Sequence, residues 1–460
     1  MKDVSVVETS FIPPREAFEK LRGKPHFAWL DTCPGSTGGF SVMACEPFLV
    51  FSARKKEISI EEKGRKECFT GEPLEVLNEL MKKNSVSCRH FFGPGVIGYF
   101  GYGLGRQIEK LPDISRDDIS IPDIFLCFYD TLLVFDRRES KLLVISSCRE
   151  GQKRMDPAFF STRSGNSYVK YPSDCSGPRI DRVYCNTSRE RYMESVKKVK
   201  EYIFEGDVYQ VNLSRRIVAE GSFRADRLYL GMRSINPAPF SAFFDGGDFQ
   251  IISNSPELFV KKQGSRLSTL PMKGTRPRGR TWKEDRLYRK ELMESGKDMA
   301  ELVMIVDLER NDMGKICMPG SIRVSRMRNL EAYKTVLQTT SRVEGRTRKD
   351  IGLPGILKAL FPGGSITGAP KIRAMEIIEE LEPFKRSFYT GSLGYLGFNG
   401  GMELNIMIRT ILMQNNRLYY PVGGGIVWDS DPEDEYNETE TKAKAFFLTL
   451  EQINEQHIPF

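Results

Sequence analysis

Histidine is scarce in this sequence: only three of 460 residues are histidine, His26, His90 and His457. No imidazole base or ligand is therefore available between residues 91 and 456. The nine cysteines include no Cys-x-x-Cys pair, which argues against a zinc site, and their odd number argues against a full set of disulfides. Chemistry in this stretch must use carboxylates, lysines, hydroxyls and backbone groups, and a metal there would be an oxygen-preferring cation such as Mg²⁺.

Long apolar runs are also missing. No stretch approaches the roughly 18 residues of a membrane span, and the polar N-terminus, with Pro13-Pro14, lacks the apolar core of a signal peptide. The sequence thus predicts a soluble, cytoplasmic protein with no membrane partner. The net charge of +7 comes from 68 basic and 61 acidic residues that are interspersed. Because no basic cluster is visible, we expect no nucleic-acid partner.

Strand-like and helical patterns alternate along the chain. Residues 1–148 form an N-terminal region of short β-like runs and a few helices, and residues 149–186, rich in Ser, Arg, Gly and Pro, are predicted to be a linker or insertion. Residues 187–460 form a third region that packs with the first as one unit. Tight turns join strands there, and such strands are antiparallel. The sequence predicts an α+β fold in which antiparallel sheets form a β-sandwich-like core and helices pack outside.

Two segments of the third region carry the clearest local patterns. Arg189–Phe204 has apolar residues at helical spacing and is predicted to be a helix. Gly391–Phe398 and Met402–Met413 are predicted to be strands that flank the turn Asn399-Gly400-Gly401.

Two predicted helices each carry a pair of acids. Asp298 and Glu301 are three residues apart, and Glu435 and Glu438 repeat that spacing. The members of each pair therefore lie on one helix face. Two such helices could bracket a Mg²⁺ that keeps several waters and takes oxygens from a substrate. From spacing alone, solvated helix faces, with Glu438 and Lys442 as an i,i+4 surface pair, are the better explanation.

Three glycine-containing segments offer further candidate sites. Pro271–Gly279 would hold Lys273 in a tight turn, where a partly dry pocket leaves an amine neutral and nucleophilic, although most lysines beside glycines are simply exposed. Gly363–Lys371 opens a predicted helix and presents either an anion site or an ordinary helix start. The run Gly423-Gly424-Gly425 offers N–H groups to a carboxylate, or forms a plain turn.

Taken together and in order, these segments resemble the chorismate-utilising family. That family includes anthranilate synthase component I, aminodeoxychorismate synthase component I, and the isochorismate and salicylate synthases. The resemblance covers about residues 190–447, and several long blocks in the same order are far more specific than any single motif. The matching blocks are Gly206–Ser214, Ser255–Phe259, Met272–Thr275, Ala300–Asp312, Gly363–Met375, Asn405–Thr410 and Gly423–Ala443.

The resemblance implies an enzyme that places ammonia on chorismate with the help of Mg²⁺. Lys273 would attack ring carbon C2 while Glu257 protonates the departing C4 hydroxyl, and ammonia would then attack C4 and expel the lysine. Taken singly, Glu257 fits an ordinary strand-end acid. Four acids would hold the Mg²⁺ or lie close to it: Glu301, Glu438, Glu435 and Asp298. The residues implied for substrate binding are Gly274, Thr275, Ser365, Tyr389, Arg409, Gly423, Gly424, Gly425 and Lys442.

Gln210 and Lys273 indicate which branch of the family the chain resembles, and Gln338 is compatible with that branch. Isochorismate- and salicylate-forming relatives carry a lysine base for water where this chain has Gln210, so ammonia is the expected nucleophile. Anthranilate synthases typically have Ala where this chain has Lys273. Gln338 stands where relatives often have a His that is linked, in anthranilate synthases, to the elimination of pyruvate. These differences favour 4-amino-4-deoxychorismate, a precursor of 4-aminobenzoate and folate, as the product.

Two alternatives to this activity stay open. One is the activity of anthranilate synthase component I, and the other is a non-catalytic subunit that docks a glutaminase and senses an amino acid. No glutaminase signature is visible in the sequence. Ammonia is therefore expected from a separate glutamine amidotransferase subunit or from solution.

The N-terminal third matches the family less closely. Ala28–Thr32 and Gly39–Val42, together with Asn236–Ser241, resemble the tryptophan pocket of relatives, with Thr32 in place of the family's Ser. The resemblance implies a candidate tryptophan pocket made by Thr32, Gly39, Phe40, Pro239, Phe240 and Ser241.

Overall fold

The computed structural model describes residues 3–33, 39–147, 179–333 and 336–454. The predicted linker at 149–186 lies mostly outside these residues, and its end, Arg179–Cys185, is a strand. Among the described residues, no helix is both long and apolar enough to cross a lipid bilayer.

Strands are the commonest regular structure in the described chain. In chain order they are β1 (Val4–Thr9), β2 (Ala28–Asp31), β3 (Phe40–Ala44), β4 (Leu49–Arg54), β5 (Glu57–Glu62), β6 (Arg65–Thr70), β7 (Gly95–Phe100), β8 (Ile124–Tyr129), β9 (Thr131–Asp136), β10 (Lys141–Ser147), β11 (Arg179–Cys185), β12 (Gln210–Ser222), β13 (Phe240–Asp245), β14 (Gln250–Ser255), β15 (Leu258–Gln263), β16 (Arg266–Leu270), β17 (Met272–Pro277), β18 (Arg323–Ala332), β19 (Val336–Arg346), β20 (Gly368–Ala369), β21 (Ser392–Gly397), β22 (Met402–Asn405), β23 (Thr410–Gln414) and β24 (Arg417–Ile426).

Helices connect the strands at intervals. They are α1 (Pro14–Leu21), α2 (Pro73–Lys83), α3 (Gly105–Ile108), α4 (Arg189–Phe204), α5 (Ala225–Ile235), α6 (Trp282–Glu294), α7 (Gly296–Gly314), α8 (Leu353–Leu360), α9 (Lys371–Leu381) and α10 (Pro432–Asn454), with 3₁₀ turns at Tyr102–Leu104 and Gly364–Ile366. The helix predicted over Arg189–Phe204 is confirmed as α4.

The strands form two 12-stranded sheets. The first has the order β1-β10-β9-β3-β2-β13-β14-β23-β24-β12-β11, with β20 beside β12. The second has the order β17-β19-β16-β15-β22-β21-β7-β8-β4-β5-β6, with β18 beside β19. In each sheet a block of N-terminal strands joins a block of strands from the third region: β2 pairs with β13 in the first sheet, and β7 pairs antiparallel with β21 in the second. Neither sheet is therefore built from one region of the sequence alone.

Three apolar layers hold this architecture together. Residues of both sheets, among them Val42, Ile97 and Phe244, share one core between the sheets. A second core lies between the first sheet and α1, α5 and α10, and a third between the second sheet and α2, α7 and α8. Every residue of β7 and β8 is buried, because their sheet is covered on both faces. The predicted α+β sandwich with outer helices is confirmed.

The prediction of one strand over Met402–Met413 is wrong. β22 ends at Asn405 in the second sheet, and β23 begins at Thr410 in the first. Residues 406–409 cross between the sheets, and Arg409 has a left-handed backbone with φ of 51°. The apolar pattern runs through this crossing because both strands and the link between them are buried, so the change of sheet leaves no signal in the sequence.

Candidate active site

Lys273 is the second residue of β17, the strand at the edge of the second sheet. Its side chain is 12% exposed, and its Nζ lies 3.6 Å from Glu301 Oε2 on α7. Gly274 follows with φ of 73°, and a Cβ there would lie 2.9 Å from the Asp298 carboxyl carbon. The left-handed backbone and this close approach together require glycine. The prediction of a tight turn around Lys273 is wrong: Met272–Pro277 is a strand that pairs with β19, and its irregularity at Gly274 brings the lysine strand close to α7.

Glu257 lies in the short link between β14 and β15, and its side chain is buried. Burial raises its pKa to about 7, although the Ser365 hydroxyl, the Lys273 amine and the Met272 N–H group each lower it. Within the described part of the chain, Glu257 Oε1 and Ser365 Oγ are buried without a hydrogen bond of good geometry. Glu257 is therefore a carboxyl that can hold a proton near neutral pH and has a free oxygen.

The second acid pair, on α10, lies against the glycine run of β24. A Cβ on Gly424 would lie 3.3 Å from Glu435 Oε2 and 3.6 Å from Glu438 Oε1. Glu435 is buried and accepts from Ser430 Oγ at 2.5 Å. Lys442 Nζ lies 2.6 Å from Glu438 Oε1 and donates to the Gly423 carbonyl at 2.7 Å. The glycines thus bring the β24 backbone close enough to touch the acidic face of α10.

The two acid pairs face each other across Lys273. Burial would raise the pKa of Glu438, but Lys442, Lys273 and Lys297 lower it. Burial raises the pKa of Glu435, and the neighbouring Glu438 adds to the rise. Because Lys297 is the second residue of α7 and Glu438 lies on α10, the two helices lie on either side of one space beside Lys273, which we call the cleft. Among the described residues, no three His, Cys, Asp or Glu side chains lie close enough together to enclose a metal ion by themselves. The remaining predicted acid, Asp298, accepts from Arg276 at 3.2 Å.

Gln210, at the start of β12, forms one wall of the cleft beside Gly425. The side chain of Gln210 is fully buried, and neither atom of its carboxamide has a hydrogen-bond partner in the described residues. A Cβ on Gly425 would lie 2.5 Å from Gln210 Nε2 and 3.3 Å from Lys273 Nζ. The amide, the amine and the bare backbone of Gly425 therefore surround one small space.

Arg409 lies where the chain crosses between the sheets. Within the described residues its guanidinium has no hydrogen bond or ion pair, and burial lowers its pKa despite the nearby Tyr420 and Tyr333 hydroxyls. Burial also raises the pKa of Tyr389 and of its neighbour Tyr420. An unpaired, largely desolvated guanidinium is suited to bind a carboxylate through two parallel hydrogen bonds.

Thr275, also on β17, accepts a hydrogen bond from Gln338. Gln338 Nε2 donates to Thr275 Oγ1 at 3.3 Å. The amide oxygen, Gln338 Oε1, is buried without a partner among the described residues. A carboxamide at this point can position a neighbour but cannot act as a base near neutral pH.

The residues of the candidate tryptophan pocket gather elsewhere, in the first sheet. Asp31 of β2 pairs with Ser41 of β3 and Ser241 of β13, which brings Thr32, Gly39 and the Pro239–Ser241 segment together. The Asp31 carboxylate accepts from Arg233 Nε at 2.7 Å. Phe240 is half-buried, whereas Phe40 is 44% exposed, against Phe92.

Sequence reasoning missed several neighbours of the cleft. Glu309 and Asp312 form a further acid pair on α7 at the same spacing of three residues as Asp298 and Glu301, a signal that could have identified them. Lys371 lies in the matching block Gly363–Met375 and pairs with Asp312. Ser430 donates to Glu435 from a loop, and the charge of Lys297, near the start of α7, lowers the pKa of Glu438; no spacing rule identifies such neighbours.

Comparisons with known proteins find relatives that cover almost the whole chain. Residues 25–448 match the sequence family described as chorismate binding enzyme. Aminodeoxychorismate synthase component 1 of Bacillus subtilis is 35% identical, with 99% of this chain and 97% of that protein covered. The Escherichia coli protein of the same name is 37% identical over 90% of each chain. Anthranilate synthase component 1 of Acetivibrio thermocellus is 36% identical, with 90% and 88% covered. The structure of anthranilate synthase component I from Streptococcus pneumoniae superposes with a TM-score of 0.80 at 30% identity, covering 95% of this chain and 97% of that one.

Proposed function

This chain belongs to the chorismate-binding enzyme family, and from that membership we propose that it is an aminodeoxychorismate synthase component I. It would convert chorismate and ammonia to 4-amino-4-deoxychorismate, the precursor of 4-aminobenzoate and folate. The observation that carries the proposal is the grouping of the Lys273 amine, the Gln210 carboxamide and Gly425 in one buried space. An amine there can bond to the ring, and a neutral carboxamide cannot activate water.

Lys273 and Glu257 would carry the covalent steps. The neutral amine forms a bond to C2 as both double bonds of the ring shift and the C4–O bond breaks, and Glu257 gives its proton so that the hydroxyl leaves as water. Ammonia then bonds to C4, both double bonds shift back, and the C2–N bond breaks as the lysine leaves. The Glu257 carboxylate takes the surplus proton from the new ammonium group, which returns the site to its starting state.

The donor set of the cleft fits Mg²⁺. The cation usually binds through one or two carboxylates and completes its shell with water and substrate oxygens. Glu301 and Glu438 would each supply one carboxylate, and Glu435 and Asp298 would support them. When bound, Mg²⁺ would supply positive charge for the ring carboxylate of chorismate. Because Glu301 also contacts Lys273, a cation bound there would lie beside the amine that attacks the ring.

Several groups would hold the two carboxylates of chorismate. Arg409 offers a fork of N–H donors, and Lys442 and the Gly423–Gly425 backbone offer further positive charge and N–H groups. Tyr389, Thr275, Ser365 and Gly274 would line the remaining wall. Ammonia would come from a separate glutamine amidotransferase, a partner for which the "component 1" in the names of the relatives gives support.

A product assay tests the proposal. Purified protein is incubated with chorismate, Mg²⁺ and ammonium, and an aminodeoxychorismate lyase is then added. We expect 4-aminobenzoate only after the lyase. Fluorescent anthranilate and pyruvate without lyase would assign the chain to the anthranilate branch instead, and unchanged chorismate would leave only a docking or sensing role.

The covalent route has its own test in Lys273→Ala. We expect the variant to lose at least about a thousandfold in turnover when ammonia is scarce. Lys261→Ala is the matched control, because Lys261 pairs with Glu403 on the outer part of the same sheet. Unchanged output of 4-amino-4-deoxychorismate from folded Lys273→Ala would exclude the lysine adduct.

A further inference from the structure

A second buried carboxyl, that of Glu309, lies close to Glu257 and takes no part in the steps above. Glu309 is on α7 and is 4% exposed. Its Oε1 accepts a hydrogen bond from the Gly364 N–H at 3.2 Å. A Cβ on Gly364 would lie 3.4 Å from that oxygen, so the 3₁₀ turn at Gly364–Ile366 packs directly on the carboxyl.

The other side of the same turn faces Glu257. Ser365 follows Gly364, is buried, and directs its hydroxyl toward Glu257, whose pKa it lowers. A Cβ on Gly363 would lie 3.2 Å from Ile406 and 3.6 Å from Phe259, so the start of the turn is packed tightly. The turn is thus a short, rigid spacer between two buried carboxyls.

Glu309 forms no ion pair within the part of the chain that the structure describes. Lys371, at the start of α9, gives its charge to Asp312 and also donates to the Leu360 carbonyl at 3.1 Å. Burial raises the pKa of Glu309 to about 7; Lys371 and the Gly364 N–H oppose this, and Asp312 and Glu257 add to it. Repulsion between two carboxylates acts equally on both. Glu257 itself faces Lys273, Ser365 and the Met272 N–H.

We propose that Glu309 is a positioning residue for the acid Glu257: it anchors the turn that carries Ser365 and, as a nearby like charge, keeps the proton on Glu257 until the C4 hydroxyl leaves. The inference rests on the proposed function, since only there does Glu257 act as an acid. It explains why an unpaired acid occupies a buried position where an apolar side chain would cost less free energy.

The test is a pair of pH profiles of kcat with saturating chorismate, Mg²⁺ and ammonium. Activity requires protonated Glu257, so it falls as pH rises through the pKa of that group. Glu309→Gln keeps the acceptor for the Gly364 N–H but removes the charge, so we expect the alkaline limb to move to lower pH by about half a unit to one unit, with KM for chorismate changed less than about twofold. Ser365→Ala removes a group that lowers the pKa of Glu257, so its limb should move to higher pH.

Glu344→Gln is the matched control. Glu344 is also a buried acid, but it lies on β19 and pairs with Arg266 at 3.0 Å, so its removal should not move the limb. An unmoved limb in folded Glu309→Gln, or a shift in the same direction in both variants, would overturn the inference.

A measurement on the wild type covers the case in which Glu309→Gln does not fold. Infrared titration should show two carboxylic-acid carbonyl bands lost near pH 7, one of them absent in Glu257→Gln. A single band would overturn the inference. Failure of the proposed function is distinct, because it appears as a different product, or none, from the wild type before any variant is compared.

Discussion

Lys273 Nζ and Glu301 Oε2 face each other at 3.6 Å between β17 and α7. Each side chain is largely buried, so each sees the opposite charge at close range. The carboxylate and the amine attract each other, so a cation bound at Glu301 would compete with Lys273 for the same oxygens. Under the proposed function, metal binding would thus free the Lys273 side chain to approach the substrate.

Glu301→Gln should raise the Mg²⁺ concentration needed for half-maximal activity by at least about tenfold, because one of two charged ligands becomes neutral. The measurement is a Mg²⁺ titration of initial rate after removal of metal with EDTA. Asp307→Asn is the control on the same helix, since Asp307 is exposed and pairs only with Arg310 at 2.8 Å among the described residues. Equal Mg²⁺ dependence in both variants would contradict the assignment of Glu301.

Glu257→Gln should stabilise the folded protein at neutral and alkaline pH. The pKa of Glu257 rises from 4.5 to about 7 on folding, so the unfolded chain releases this proton first and stability falls as pH rises between those values. The variant lacks this penalty. We expect its gain in unfolding free energy to be near zero at pH 4.5 and to reach at most about 3 kcal/mol above pH 7.

Chemical denaturation of both proteins at a series of pH values measures this gain. Glu403→Gln is the control, because Glu403 pairs with Lys261 in a half-exposed position and should show no such gain at high pH. A gain for Glu257→Gln that is independent of pH would mean that Glu257 is ionised in the folded state throughout.

The sequence was sufficient to predict the antiparallel sandwich, because tight turns such as Asn399-Gly400-Gly401 leave strands only that option. It also predicted both acid pairs, since i,i+3 spacing survives in α7 and α10. Local patterns are reliable for features that one element carries alone.

What the sequence could not predict depends on contacts between distant elements. The spacing of residues in the sequence cannot predict that Gln210 lies beside Gly425. The strands β12 and β24 are far apart in the sequence and pair only in the folded sheet. For the same reason, the sequence pattern predicts a continuous strand through the crossing at Arg409. The spacing along α7 could identify Glu309 as an acid, but its partner, the Gly364 N–H, is a backbone group from another segment that no spacing predicts.

Arg409→Met should raise KM for chorismate by about ten- to a hundredfold and change kcat less, because a charged hydrogen bond to a carboxylate contributes about 1.5–3 kcal/mol. Steady-state kinetics with varied chorismate measures the effect. Arg417→Met is the matched control, since Arg417 is half-exposed and pairs with Glu220 at 2.9 Å. An unchanged KM would remove Arg409 from the substrate site.

Gly425→Ala should inactivate the enzyme while leaving the fold intact. The new Cβ would lie 2.5 Å from Gln210 Nε2 and 3.3 Å from Lys273 Nζ, so both side chains must move. Overpacking of this kind costs about 1–3 kcal/mol of stability, and a displacement of about 1 Å at a reacting group can cost about a hundredfold in kcat. Gly314→Ala is the control, because a Cβ there meets nothing within 4 Å. Thermal unfolding and turnover are measured on both; wild-type turnover by Gly425→Ala would mean that the space between the amide and the amine is not where the reaction occurs.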